Sequence, residues 1–107
     1  MSGIYRRASP VAERRYVLSP YDKREAMTVS AAAKLANLST GTIRNWCELH
    51  EIGRRIAGGN WKVSRVALQM LLDEEMEALA EYHTGERTDP RVIAYFERVG
   101  LGFLVDI

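Results

Sequence analysis

Two side chains suited to starting a helix, Thr28 and Ser39, stand so close together that the first helix has room for only about two turns. Between them, Val29-Ser-Ala-Ala-Ala-Lys-Leu-Ala36 is dense in strong helix formers. Val29, Ala32, Ala33 and Ala36 fall on one stripe at helical spacing. Asn37 tolerates the left-handed conformation that ends a helix, Leu38 offers a side chain to bury, and Ser39 caps a second start. The next helix is expected over Thr40 to His50, with Ile43, Trp46 and Cys47 facing inward and His50 at the edge of that face. Two short helices around a three-residue turn make a helix-turn-helix unit.

Beyond His50 the period changes. Arg54-Arg55-Ile56-Ala57, Gly58-Gly59-Asn60 and Trp61-Lys62-Val63 read as a hairpin whose tip residues supply positive φ. Ile56, Trp61 and Val63 are expected on the core side, with Arg55 and Lys62 outward. Ser64 caps a third helix, expected to run from Arg65 to about His83, and Thr84-Gly85 ends it. Asp89-Pro90 starts a fourth helix to about Val99 with Val92, Ile93, Phe96 and Val99 on its apolar face, and Gly100 stops it. Leu101 to Ile107 is an apolar tail, read as an edge strand or a docking element. The first 25 residues show no sustained periodicity, and Tyr16-Val17-Leu18 reads as a short strand or an anchor against the body.

Composition narrows the function class. A chain of 107 residues with 47% hydrophobic and 27% charged residues makes one domain-sized core. No apolar run approaches the roughly 20 residues of a membrane span, and no secretory leader is read at the start. Cys47 is the single cysteine, which fits a reducing compartment, and with His50 and His83 it falls short of a four-ligand zinc site. The net charge of +1 hides an asymmetry: residues 1–25 carry a net +3, residues 26–72 a net +4 and residues 73–107 a net −6. That split offers one face to a polyanion and turns another region away from it.

The order helix, three-residue turn, helix, Gly-tipped hairpin, helix is that of a winged helix-turn-helix. Thr28 to Ala36, then Leu38-Ser-Thr-Gly-Thr-Ile-Arg-Asn-Trp46, then Trp61-Lys-Val-Ser-Arg-Val-Ala-Leu68 is similar to the excisionase-type DNA-binding domain, which belongs with the MerR-like winged helices. The resemblance covers about residues 27–72. It departs from the family at Asn37, where Gly is usual, and in the length and chemistry of residues 49–55. It implies that the second helix enters the major groove and that the wing touches an adjacent minor groove or the backbone.

The residues agree. With Ile43, Trp46 and Cys47 turned in, the second helix presents Thr40, Gly41, Arg44, Asn45 and Glu48. Arg44 suits guanine and Asn45 adenine by bidentate pairing, each worth roughly 1–3 kcal/mol of discrimination. Arg54, Arg55, Gly58, Gly59, Asn60 and Lys62 supply wing contacts, Lys34 reaches phosphate, and Arg6, Arg7, Arg14 and Arg15 are candidate arm contacts. The arm is equally readable as disordered. Trp46 and Trp61 read as core rather than as stacking platforms, Cys47 as a small buried hydrophobe, and His50 and His83 as surface or boundary residues.

The expectation is therefore a mainly α protein with a small β-hairpin wing. Residues 1–26 form a basic arm, 27–72 a winged helix-turn-helix, and 73–107 an acidic helical extension and apolar tail suited to self-association. Its partner is double-stranded DNA, with a homo-oligomer or cooperative assembly on it, a recombinase or another phage or host protein as further partner, no cofactor, no metal and no membrane. It is read as a cytoplasmic, nucleoid-associated non-enzyme: a recombination directionality factor or transcriptional regulator. The alternatives are the DNA-recognition subunit of a phage packaging terminase and, from another class, a protein-interaction adaptor. The run Asp73, Glu74, Glu75, Glu77, Glu81 reads as a solvated face or as a contact for a basic partner, including the arm of another copy.

Overall fold

A computed structural model of the protein describes residues 16–55 and 57–105; the expectations for Arg6, Arg7, Arg14, Arg15 and Ile56 lie outside the described residues. Helix α1 (Val29–Ala36) starts at Thr28, whose side chain accepts from the Ala31 N–H. It ends at Asn37, which takes φ 60° and ψ 46°. The Leu38 and Asn37 N–H groups then satisfy the Ala33 and Lys34 carbonyls, the paired bonds of a left-handed helix terminus. Ser39 restarts the chain as α2 (Thr40–Leu49), accepting from the Thr42 N–H. Ala32, Ala33, Ile43 and Cys47 are buried between the two helices and the sheet, with Val29, Ala36 and Trp46 packed at the margin. Leu38 departs from expectation. It lies at the outer corner of the turn and is 37% exposed, because the left-handed Asn37 carries it away from the α1–α2 contact.

The sheet holds three antiparallel strands, β1 (Ala26–Thr28), β2 (Gly53–Arg55) and β3 (Trp61–Ser64), in the order β1-β3-β2. The hairpin β2–β3 was expected, whereas β1 is too short to show a period and is recognisable only from its pairing, Met27 opposite Val63. Gly53 lies opposite Val63 and is buried against α2. A Cβ there would stand 2.5 Å from the Lys62 carbonyl oxygen and 2.9 Å from Cys47 Sγ. Neither is the free end of a flexible chain, so the wing base accepts only glycine. Gly53→Ala is expected to cost about 1–3 kcal/mol as overpacking, read as a lower urea midpoint at unchanged slope.

Ser64 caps α3 (Arg65–Leu72) by accepting from the Ala67 N–H. The single helix expected from Arg65 to His83 is broken. After Leu72 the chain turns at Glu74, φ 59°, and resumes as α4 (Met76–His83). The Glu74 and Glu75 N–H groups close on the Leu71 and Met70 carbonyls, a second terminus of the kind seen at Asn37. Three consecutive acids at the negative end of a helix dipole oppose continuation, and the break turns Ala78, Leu79 and Tyr82 onto the core. Helix α5 (Pro90–Arg98) starts as expected at Asp89, which accepts from the Arg91 N–H, and buries Val92, Tyr95 and Phe96. As far as Val105 the tail is neither strand nor free end. It forms a 3₁₀ turn (Gly102–Leu104) that brings Leu101 and Val105 back into the same core. Much of the apolar surface of α4 and α5, read from the sequence as suited to self-association, is buried within one chain, while Met76 stays 47% exposed. The acidic run is partly internal too, with Asp73 paired to Arg98 at 2.7 Å and Glu77 to Arg91 at 2.8 Å.

Tyr16 to Glu25 straps the helix-turn-helix to the C-terminal helices, the anchor alternative for Tyr16-Val17-Leu18. Val17 and Leu18 are buried. Arg87, its guanidinium 4.1 Å from the centre of the Tyr82 ring, donates to the Tyr16 and Ser19 carbonyls. The strap ends in a buried polar cluster. The Glu25 carboxylate accepts from Ser64 Oγ at 2.6 Å and from the Tyr82 hydroxyl, and that hydroxyl accepts from the Leu18 N–H at 2.9 Å.

Burial pushes the Glu25 carboxyl above its ordinary 4.5 despite these donors, and it likewise raises the Tyr82 phenol. A carboxyl whose folded pKa is raised binds its proton more tightly in the native state. Its contribution to stability is therefore complete below about pH 4.5 and is lost as pH rises through the raised value. Asp22, held down to about 2 chiefly by its hydrogen bond from Arg24, acts oppositely: its contribution is present above about pH 3.8 and fades toward pH 2. Glu25→Gln is expected to remove the fall in Tm above pH 4.5 while leaving the loss below pH 4. An unaltered slope above pH 4.5 would contradict this.

Candidate nucleic-acid interface

The three-residue turn and the packing of Ile43 and Cys47 leave the opposite side of α2 in solvent. Gly41, Arg44, Asn45 and Glu48 are exposed there and Thr40 is half-exposed. Ser39 sets the N-terminal end of this face through its bonds to the Thr42 N–H and hydroxyl. Cys47, on the hidden side, is held between α2 and Gly53, and burial raises its thiol to about 11, so it is an inert packing group at neutral pH.

Arg44 shares an open groove of about 580 Å³ with the wing and with the N-terminal end of α1. Its lining is Thr28, Val29, Ser30, Arg44, Arg55, Gly59, Asn60, Trp61 and Lys62: three cations and no acid. Five residues expected at the site, Arg44, Arg55, Gly59, Asn60 and Lys62, thus come together. Lys34, exposed in the last turn of α1, lies away from the groove, as do Asn45 and Glu48 further round α2 and Gly58 at the wing tip.

The wing differs from expectation in its facing. Arg55 is opposite Trp61 and Arg54 opposite Lys62, so Arg55 shares the Trp61 face and not that of Lys62. The Arg55 guanidinium sits 5.7 Å from the Trp61 ring centre and donates to the Gly59 and Gly58 carbonyls at 2.8 and 3.0 Å. It therefore holds the wing tip while remaining exposed. Arg54 is drawn to the strap, donating to Ser19 Oγ at 3.2 Å, with its guanidinium 5.7 Å from the Tyr21 ring centre. The positive φ angles at the tip fall on Ala57 (55°) and Gly58 (73°), one residue earlier than the Gly-Gly-Asn cluster suggests.

Sequence reasoning missed Thr28, Val29 and Ser30 as groove residues. The signal was present in Thr28 as a helix cap, since the N-terminal end of a helix favours anions. Trp61 was read as core; it is half-buried, and part of it lines the groove. Among the described residues no group of His, Cys, Asp and Glu is arranged to hold a metal ion, and no helix is long and apolar enough to cross a membrane.

No curated protein and no solved structure matches the chain. The family model described as a helix-turn-helix domain matches residues 26–76, from β1 through α1, α2, the wing and α3 to the first residue of α4. The fold of residues 26–76 is that of a winged helix-turn-helix, and the family model that matches them is described as a helix-turn-helix domain.

Proposed function

We propose that this protein binds double-stranded DNA with sequence preference, placing the N-terminal half of α2 in the major groove and the wing on the adjacent groove or backbone. One observation carries the reading. Arg44 and Asn45 project from a helix face that no other part of the described chain covers, beside a groove holding three cations and no acid. Helix-turn-helix domains present base-reading residues from the start of the second helix, and phosphate contacts supply the salt-dependent part of the affinity. Arg44 and Asn45 read base edges, Thr40 and Gly41 permit close approach, Glu48 borders the same face, and Lys62, Arg55, Asn60 and Lys34 meet the backbone. Arg6, Arg7, Arg14 and Arg15 add minor-groove or phosphate contacts.

The protein acts as a non-catalytic accessory factor of excisionase or MerR-like type, directing a recombinase or regulating transcription, with copies assembling cooperatively on repeated sites. The acidic C-terminal helices, turned from the polyanion by their charge, face protein partners. A mobility-shift titration at two salt concentrations tests the reading. Binding should weaken steeply with salt, and Lys62→Ala should lower affinity on all sequences alike while reducing the log–log salt slope by about one. Salt-independent binding, or none on random-pool DNA, would favour the protein-interaction adaptor instead.

A further inference from the structure

Two exposed apolar pairs on different elements are bordered by opposite charge. The first is shared by the strap and the 3₁₀ turn. Tyr21 is 41% and Phe103 53% exposed. The Arg24 guanidinium stands 4.5 Å from the centre of the Phe103 ring, and Tyr21, Asp22, Lys23 and Arg24 line an open groove of about 410 Å³. Asp22 is paired with Arg24 at 2.7 Å, whereas the exposed Lys23 is in no ion pair among the described residues. Arg65, whose side chain donates to the Arg24 carbonyl at 3.0 Å, adds a further cation. This face is aromatic and cationic.

The second pair lies across the end of α2 and the start of α4. Leu49 is 65% and Met76 47% exposed, and with Leu79 and Ala80 they line a depression of about 230 Å³. Glu74 and Glu75, which lead into Met76, are exposed and in no ion pair among the described residues. This face is aliphatic and anionic. Within one chain the two are held apart by the core. The strap and the 3₁₀ turn are anchored by Val17, Leu18, Leu101 and Val105, and α4 by Ala78, Leu79 and Tyr82. A symmetric contact would set acid against acid or cation against cation, so the pairing that the charges favour joins unlike faces of two copies.

We propose that the Leu49–Met76 face of one copy docks on the Tyr21–Phe103 face of a second, with Glu74 and Glu75 against Lys23, Arg24 and Arg65. Each docked pair leaves one face of either kind open, so further copies join head to tail. This gives a surface to the self-assembly in the proposed function and rests on that part of it, while none of these residues belongs to the proposed DNA face.

Sedimentation velocity of the full chain without DNA tests it. The wild-type weight-average coefficient should rise with protein concentration and fall back with added salt. Lys23→Glu with Arg24→Glu, and separately Glu74→Lys with Glu75→Lys, should each self-associate at least about tenfold more weakly. An equimolar mixture of the two should associate again, because the reversed charges then face each other. Phe103→Ala, which alters no charge, should also weaken association, and it decides the matter if a reversed variant does not fold. The proposal is overturned by a wild-type chain that is monomeric at every concentration, by reversed variants that associate as wild type does, by a mixture of folded variants that stays monomeric, or by Phe103→Ala indistinguishable from wild type. With no DNA present, such a failure leaves DNA binding to its own titration.

Discussion

Arg44→Ala and Asn45→Ala are each expected to reduce binding to the preferred DNA site by about 5- to 150-fold while barely changing affinity for unrelated sequence, the consequence of losing roughly 1–3 kcal/mol of base discrimination. The two side chains are adjacent on α2 but stand differently: Arg44 leans into the groove shared with the wing, and Asn45 lies outside it. Arg44→Ala is accordingly the larger loss and relaxes selectivity at guanine, whereas Asn45→Ala relaxes it at adenine. Neither side chain is buried, so Tm should stay within a degree or two of wild type. A titration of each variant against a randomised pool reads both quantities. Equal losses on preferred and unrelated DNA would place these residues on the backbone and not on bases.

The second large effect concerns the tie between the two ends of the chain. Tyr82→Phe keeps the ring against Phe96, at a centroid distance of 6.2 Å, and removes only the hydroxyl. That single atom accepts from Leu18 and donates to Glu25, both buried. Its loss leaves an orphaned N–H and a carboxylate with one fewer donor, together about 2–4 kcal/mol, read as a lower urea midpoint. The combination Tyr82→Phe with Glu25→Gln should be less destabilising than the sum of the two, because the uncharged amide no longer needs the second donor. A loss below about 0.5 kcal/mol for Tyr82→Phe would show that water replaces the hydroxyl and that the strap is not held by it.

The pattern of caps made much of this legible in advance. Thr28, Ser39, Ser64 and Asp89 each start a helix in the sequence and each accept the expected backbone N–H in the structure. A short polar side chain before a run of helix formers has few other uses. What remained hidden depends on contacts distant in sequence. The strand β1 exists only because Met27 meets Val63, and Gly53 matters only because Lys62 and Cys47 close over it. The break at Glu74 was concealed because glutamate is a good helix former, and its left-handed conformation shows only in the structure, where the turn brings Ala78 and Tyr82 onto the core. The burial of Glu25 could not be read from the sequence, since burial of a carboxylate leaves no local trace.

At the candidate site, the types of residue were readable and their facing was not. Arg55 and Lys62 were placed on one side of the wing with Ile56, Trp61 and Val63 on the other, while the register pairs Arg55 with Trp61. A loop that begins one residue earlier than the glycine cluster suggests is enough to change that facing, because strand side chains alternate.

Guanine methylation interference bears most directly on the proposed placement of α2. With DNA methylated sparsely at guanine N7, which lies in the major groove, wild-type protein should be excluded from molecules methylated at a specific guanine in the site. Arg44→Ala should bind those molecules as well as unmodified ones. Interference confined to adenine N3 in the minor groove, or N7 interference that persists unchanged in Arg44→Ala, would contradict the account.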